Sequence, residues 1–235
     1  MKLITINLSY YNQSREMLAK HLTLWNKYPY QIMKYFTFFI IDDGSKTDIK
    51  EMLKTLPNSN LDLRVFRVLE DLYCNIAGVR NLGANMCQTP YLLILDIDTL
   101  VNAKMAHELV KIAKNNIYHS LVFKFNRMCS NPKHIKHNTY HPAVCLIRKN
   151  DYWKIGGCEE DLVGHYGFTD PCFWFRAINK VRVIPLKDVY LIYDDDGEAD
   201  IDRNTTNNKK LFLERKEDNN WSNNYLRFKW EKIII

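Results

Sequence analysis

Two carboxylates stand side by side in Asp42-Asp43-Gly44-Ser45, directly after the apolar run Phe36 to Ile41. Acids at the end of a strand can accept hydrogen bonds from a nucleoside, at a base N–H or at the ribose hydroxyls. The same residues also make an ordinary turn, since Asp-Gly is a turn signal. A second cluster is Asn75-Ile76-Ala77-Gly78-Val79-Arg80-Asn81-Leu82-Gly83, in which Arg80 lies one turn from Ile76 and Ala77 on a helix. The N-terminal turn of a helix offers N–H groups to an anion, and an Arg beside it can meet phosphate or a base edge. The plainer account is a packed connection with a surface Arg. The third cluster, Asp96-Ile97-Asp98, follows the apolar run Leu92 to Leu95. Acids at i and i+2 of an extended chain point to the same side. They give a reason to expect one hard divalent cation, Mg2+ or Mn2+, together with a diphosphate. The fourth begins at Gly156-Gly157-Cys158-Glu159-Glu160-Asp161 and continues through Gly164-His165-Tyr166-Gly167-Phe168-Thr169 to Asp170-Pro171. Its glycines let the backbone approach a ligand closely. Asp170 is expected to begin a helix, with Pro171 in its first turn, and taken alone it is a helix cap.

The elements that must position these residues follow from periodicity. Leu3 to Leu8 alternates as a strand, and Ser14 caps a helix to about Lys27 with Leu18, Leu22 and Trp25 on one face. Phe36 to Ile41 is a second strand. Ile49, Met52, Leu53 and Leu56 have the spacing of an amphipathic helix. Arg64 to Leu69 is a third strand, Asn75 caps a helix from Ile76 to about Cys87, and Ala103 to Asn115 is another helix. Tyr91 to Leu95 is continuously apolar, as in a sheet covered on both faces. The alternation of strand and helix predicts an open, mostly parallel sheet with right-handed crossovers, whose ligands bind at the carboxyl ends of the strands. The polar clusters all fall there. Beyond Ser120 the pattern is mixed. Strands are expected at Ser120 to Phe125, Ala143 to Arg148, Val181 to Ile184 and Asp188 to Tyr193, with a helix at Asp170 to Lys180. After Asp194 the chain is polar, and an irregular segment with one helix around Lys209 to Lys216 is expected. The apolar tail Ile233-Ile234-Ile235 is too short to anchor anything by itself.

Composition narrows the classes. At 235 residues, 46% hydrophobic and 13% aromatic, the chain suits one globular domain with a sizeable core and excludes global disorder. Six cysteines are too sparse for a disulfide scaffold, and none are spaced Cys-x-x-Cys. Reduced thiols and a cytoplasmic protein are expected, with peripheral attachment to a membrane left open. No apolar stretch is long enough for a signal peptide or a transmembrane segment. The sequons at Asn7, Asn12, Asn204 and Asn220 read as chance in an Asn-rich chain. Net charge is +6, but the basic residues are scattered. The densest stretch, Lys133 to Arg148, lacks interleaved aromatics, so a solvated surface is expected and nucleic acid is not.

In order and spacing the four clusters together resemble the family 2 glycosyltransferases with the GT-A fold, from about Ile4 to Arg176. The fold implied is α/β, a Rossmann-like, mostly parallel central sheet flanked by helices, with a mixed acceptor-side C-terminal part. The whole chain, 1–235, would be one such domain, with 1–119 the nucleotide-sugar-binding half and 120–235 the acceptor-binding half and C-terminal segment. The resemblance implies an inverting transfer of a sugar from a nucleotide-sugar, with UDP the expected nucleotide, to a hydroxyl of a glycan or other acceptor. It implies that Ser9 and Asp43 contact the nucleobase, Asp42 supports the nucleoside pocket, and Arg80 lies over the base or reaches the phosphates. Asp96 would face the ribose, with Ile97 beside it in the nucleotide-sugar site. Asp98 would bind Mn2+ or Mg2+ on the diphosphate, and Asp170 would be the catalytic base. The pattern departs from the family in two places. Thr169 precedes Asp170 where the family usually has Glu, which touches acceptor contacts. Asp194-Asp195-Asp196 stands where many relatives have a metal-binding His, which leaves the third metal ligand open among these three acids or a His.

Three rivals bear on this reading. An apolar strand with Asp-x-Asp also opens haloacid-dehalogenase-type phosphatases, but those carry Thr or Val where this chain has Leu100, and they place the motif near the start of their core. A sugar-nucleotide pyrophosphorylase needs a Gly-rich basic loop after the first strand, where Ser9-Tyr10-Tyr11-Asn12 stands. A non-catalytic nucleotide-sugar or glycan-binding module would not need Asp43, Arg80, Asp98 and Asp170 together.

Overall fold

The computed structural model describes residues 1–58, 60–116, 120–129, 139–194 and 201–235. The first half alternates as its periodicity predicts. β1 (Ile4–Tyr10) leads to α1 (Arg15–Asn26), a short α2 (Tyr30–Met33) and β2 (Phe36–Asp42). α3 (Ile49–Lys54), β3 (Leu63–Val68), α4 (Ile76–Met86) and β4 (Tyr91–Leu95) follow, then a two-residue β5 (Thr99–Leu100) and α5 (Ala103–Asn115). The helix starts have the chemistry expected of them. Ser14 Oγ accepts from the Met17 N–H at 3.2 Å, and Asn102 Oδ1 from the Met105 N–H at 3.0 Å. Asn75 differs, for its side chain makes no capping bond.

The second half comprises β6 (Leu121–Cys129), β7 (Thr139–Arg148), α6 (Lys149–Ile155), a 3-10 turn at Glu160–Leu162, α7 (Thr169–Ala177), β8 (Arg182–Tyr193), α8 (Thr206–Asp218) and β9 (Trp230–Ile233). Among the described residues the strands form one sheet in the order β5-β8-β6-β7-β4-β1-β2-β3-β9. β3, β2, β1 and β4 are mutually parallel, whereas β7 turns antiparallel to β4, and β9 to β3. The sheet is therefore α/β, parallel where the donor half was expected and mixed beyond it.

Several boundaries differ from the sequence reading. The two expected late strands are one, β8. Its register against β6 jumps from Phe125↔Leu186 to Asn126↔Tyr190, and Asn126 donates to the Lys187 carbonyl at 2.6 Å across the irregularity. Pro185 and the polar residues after it hide that continuity from a period-2 pattern. The C-terminal tail is not idle: Trp230–Ile233 closes the β3 edge, with Val65 opposite Ile233 and Val68 opposite Trp230.

β1, β2 and β4 are buried at every position, because helices cover both faces. One face packs α1, α3 and α5 through Leu18, Leu22, Trp25, Met52, Leu53, Ala106 and Leu109. Trp25 stacks on Phe38 with ring centroids 4.8 Å apart. The other face packs α4, α6 and α7 through Ala77, Ala84, Tyr152, Ile155 and Phe173. Among the described residues no helix is long and apolar enough to cross a membrane. Among the described residues no disulfide joins the cysteines.

Candidate active site

The carboxyl ends of β1, β2 and β4 and the start of α7 open on one cleft of about 460 Å3. Ser9, Asp43, Arg80, Asp96, Ile97, Asp98 and Asp170 all line it. Asp42 does not. It lies behind the wall at 0% exposure, where Oδ1 accepts the Ser45 N–H at 3.0 Å and Oδ2 stands 3.5 Å from Arg67 Nε. Parallel strands alternate sides, so neighbouring Asp42 and Asp43 cannot both face the ligand edge.

Asp43 Oδ2 accepts the N–H of Asn75, the residue before α4, at 3.0 Å, which ties the start of α4 to the end of β2. Its Oδ1 is buried with no partner among the described residues, as is Ser9 Oγ. Burial pushes the Asp43 carboxyl up from 3.8 to about 8, against the Asn75 bond and helped by Asp42. An orphaned carboxyl oxygen and an orphaned hydroxyl at adjacent strand ends are groups that a ligand can satisfy.

Arg80 sits at the centre. Its Nη1 donates to Asp170 Oδ1 at 2.7 Å and its Nη2 to Asp96 Oδ1 at 2.9 Å. Its side chain is 4% exposed, against 24% for Asp96 and 27% for Asp170. Burial opposes its charge, but the two carboxylates outweigh burial and hold the guanidinium well above its ordinary value. Burial likewise works against Asp96, and Arg80 outweighs it, leaving that carboxyl below the usual range. The sequence could place Arg80 near a helix start. It could not show that the guanidinium joins the acid after β4 to the acid on α7, because Asp170 is 90 residues away along the chain.

Asp170 is the second residue of α7. The cap position belongs to Phe168, whose φ is +63°. The other acids of the fourth cluster are spent on structure. Glu159 and Glu160 are 0% and 2% exposed. Glu159 accepts the Ser222 N–H at 2.9 Å, and Glu160 accepts from Asn81 Nδ2 at 2.8 Å and from the Leu226 N–H at 3.0 Å. Asp161 pairs with Arg215 and Arg227.

Asp96, Asp98 and His141 bring one ligand atom each within 4.8 Å of one another. His141 is not marked by the sequence, because it lies in the basic stretch Lys133 to Arg148. Pro142 beside it interrupts the alternation that would have marked an inward residue of β7. Its Nδ1 accepts the Ala143 and Val144 N–H groups, both at 3.1 Å. A nitrogen facing two donors carries no proton, so the proton sits on Nε2 and is donated to Thr99 Oγ1 at 2.9 Å. Thr99 in turn donates to Asp98 Oδ1 at 3.0 Å. Burial lowers the His141 pKa to about 4, so the ring is neutral at pH 7. The two carboxylates thus fit a hard cation as they stand. The imidazole orients Asp98 through Thr99, and ligates only if it gives up its backbone bonds. Asp194 donates its N–H to the Asp98 carbonyl at 2.8 Å and pairs with Lys20 at 2.8 Å. Asp195 and Asp196 lie outside the described residues. His21 was also missed. It is fully buried on α1 and bonds the Ile97 carbonyl at 2.7 Å, which fixes the turn between the two acids.

A model of the family described as glycosyl transferase family 2 matches residues 7–181. No curated protein matches the chain. Among solved structures, the chain is similar to TarS 1-349 of S. aureus in complex with UDP-GlcNAc, at 16% identity and a TM-score of 0.63, over 86% of this chain and 60% of that one. It is also similar to the mannosyltransferase PcManGT from Pyrobaculum calidifontis in complex with GDP-Man and Mn2+, at 15% identity and a TM-score of 0.59, over 80% of this chain and 56% of that one. It therefore spans less than two thirds of either, and at these identities the likeness is one of fold.

Proposed function

The chain belongs to glycosyl transferase family 2, and from that we propose an inverting, metal-dependent glycosyltransferase that moves a sugar from a UDP-sugar to a hydroxyl of a glycan or other acceptor. The observation that carries the reading is Arg80 held between Asp96 and Asp170, which sets a donor-side acid and a candidate base on one guanidinium.

In this reading 1–119 carries the donor and 120–235 the acceptor. Ser9 Oγ and Asp43 Oδ1, both without partners among the described residues, take the base, and Asp42 backs the pocket by closing its turn. Asp96 and Ile97 face the ribose. Asp98, with Asp96 beside it, would hold Mn2+ or Mg2+, whose part when bound is to neutralise the diphosphate as it leaves. Asp170 takes the proton of the acceptor hydroxyl as its oxygen bonds to the anomeric carbon from the face opposite the diphosphate. The bond from that carbon to the diphosphate oxygen breaks, and the electron pair leaves on the nucleotide. General-base help of this kind is worth about 10²–10⁴ in rate. Arg80 keeps the Asp170 carboxylate in place.

The reading is tested by calorimetry with UDP, in Mg2+ or Mn2+ and in chelator. The cation should tighten UDP binding, and Asp98→Ala should abolish the gain. Equal affinity for UDP in both buffers would overturn the metal role, and no binding of any nucleotide would overturn the function.

A further inference from the structure

α8 lies beyond the matched residues 7–181, and it turns one buried side chain inward: Asn208, 2% exposed. A helix that merely docks would bury hydrocarbon there. Asn208 instead aims its amide nitrogen at three backbone carbonyls of one segment, Leu162 at 3.1 Å, His165 at 2.8 Å and Gly167 at 2.9 Å. Two N–H groups serve three acceptors, so one is shared. The same segment meets α8 again where Gly167, with φ +89°, backs onto Thr205: a Cβ there would lie 2.8 Å from Thr205 Cγ2. The segment leads without interruption into Phe168, Thr169 and Asp170.

We propose that Asn208 is a positioning residue. It holds the 162–168 segment, and through it Asp170, where proton transfer requires it. The assignment rests on the transfer reaction proposed above. The Gly164 N–H on the Tyr73 carbonyl at 2.9 Å and the Phe168 ring against Phe212 also hold the segment, but the bonds from Asn208 are what gather its three carbonyls to one point. Buried acceptors left unpaired turn outward to water and carry the start of α7 with them. A base displaced by about 1 Å loses on the order of 10²-fold in rate. The bonds of Asn208 run to Leu162, His165 and Gly167, and none of the residues assigned above to the nucleotide, Ser9, Asp43, Asp96 and Asp98, lies in that segment, so UDP affinity is expected to hold while transfer changes.

Asn208→Asp tests this, being of the same shape but with no N–H to donate when ionised. Amide hydrogen exchange of the full chain should quicken over 162–172 and stay unchanged over β1, β2 and β4. UDP affinity should be unchanged. Turnover of UDP-glucose, UDP-galactose and UDP-GlcNAc, counted per UDP-binding site so that misfolded chain is not scored, should fall roughly 10- to 100-fold. Asn208→Gln, which keeps both N–H groups, should retain more protection and more turnover than the aspartate. If Asn208→Asp does not fold, Asn208→Ser is read the same way. Unchanged exchange over 162–172 would overturn the clamp, and a loosened segment with undiminished turnover per site would overturn the positioning role. Should the wild type bind no nucleotide, the transfer reading falls and the positioning role with it, while the exchange comparison still decides whether Asn208 holds the segment.

Discussion

Asp43 and Asp170 line one cleft, and their surroundings differ in kind. Asp43 is 5% exposed with one oxygen lacking a partner among the described residues, and burial raises its carboxyl from 3.8 to about 8. Between those values the folded chain keeps a proton that the unfolded chain has released, so stability from this group is full at low pH and declines as pH rises toward 8. Asp43→Asn removes the titration. Its melting temperature relative to wild type should therefore climb between pH 5 and pH 8 in the ligand-free protein. A constant offset across that range would show that Asp43 titrates normally. Its UDP affinity should fall as well. Asp170 is instead held by Arg80 at 2.7 Å. Asp170→Asn keeps the shape and an oxygen for Arg80. Because Phe168 and not Asp170 occupies the cap position, α7 should form as before. We expect normal folding and UDP binding with transfer reduced roughly 10²-fold or more. Transfer within a few-fold of wild type would remove Asp170 as the base. Both acids were visible in the sequence, because each follows a strand or glycine pattern that marks a ligand edge. His141 was not, since its role depends on β7 lying beside β4, a pairing that no local spacing encodes.

At the scale of elements, the position of Arg80 depends on how closely α4 approaches β1. Gly83 has no room for a side chain: a Cβ there would lie 2.2 Å from Asn7 Oδ1. Asn7 is fully buried, and its Nδ2 donates to the Arg80 carbonyl at 3.1 Å, so it cannot swing aside without releasing the turn of α4 that carries Arg80. Gly83→Ala gains about 0.8–1 kcal/mol of helix propensity but forces an overpacked contact costing about 1–3 kcal/mol. The contact should win, lowering the melting temperature and weakening UDP binding together. Asn7→Ala in the same chain should return part of the lost stability by vacating the space; a double variant no more stable than the sum of the singles would mean the two residues do not meet. Apart from the four-residue α2, the main strands and helices of the first half were legible because long periodic runs carry their own signal. β5, α6 and β9 were not. β5 is two residues, and α6 is seven with three of them charged. β9 exists because β3 offers it an edge, which is a tertiary fact.

At the scale of the whole molecule, the chain after α8 runs back across the protein to β3, and Glu160 ties it to the rest. This 2%-exposed carboxylate accepts from Asn81 on α4, from the Leu226 N–H at 3.0 Å and from the Arg227 N–H at 3.4 Å. One acidic group therefore joins the Arg80 helix, the glycine-bearing segment and the C-terminal strap. Asn81 completes the joint, donating to the Cys158 carbonyl at 3.0 Å and accepting from Tyr152 Oη at 2.6 Å. Glu160→Gln replaces one of the accepting oxygens with an NH2 group that faces donors. Leaving a buried polar group unsatisfied costs about 1–3 kcal/mol, and for a chain of this size each kcal/mol lowers the melting temperature by about 2–4 °C. The variant should melt lower by about that product, and hydrogen exchange should quicken over 222–228. UDP affinity should hold, because Glu160 does not line the cleft. The same variant separates two assignments of the base. In sequence Glu160 stands as near a glycine pattern as Asp170 does, but in the fold it faces backbone N–H groups and not the space beside Asp96. Transfer per UDP-binding site should therefore survive Glu160→Gln, measured well below the melting transition, and be lost in Asp170→Asn. If Glu160→Gln abolished transfer while leaving the melting temperature untouched, the proton would be moving through Glu160, and the arrangement around Arg80 would be structural.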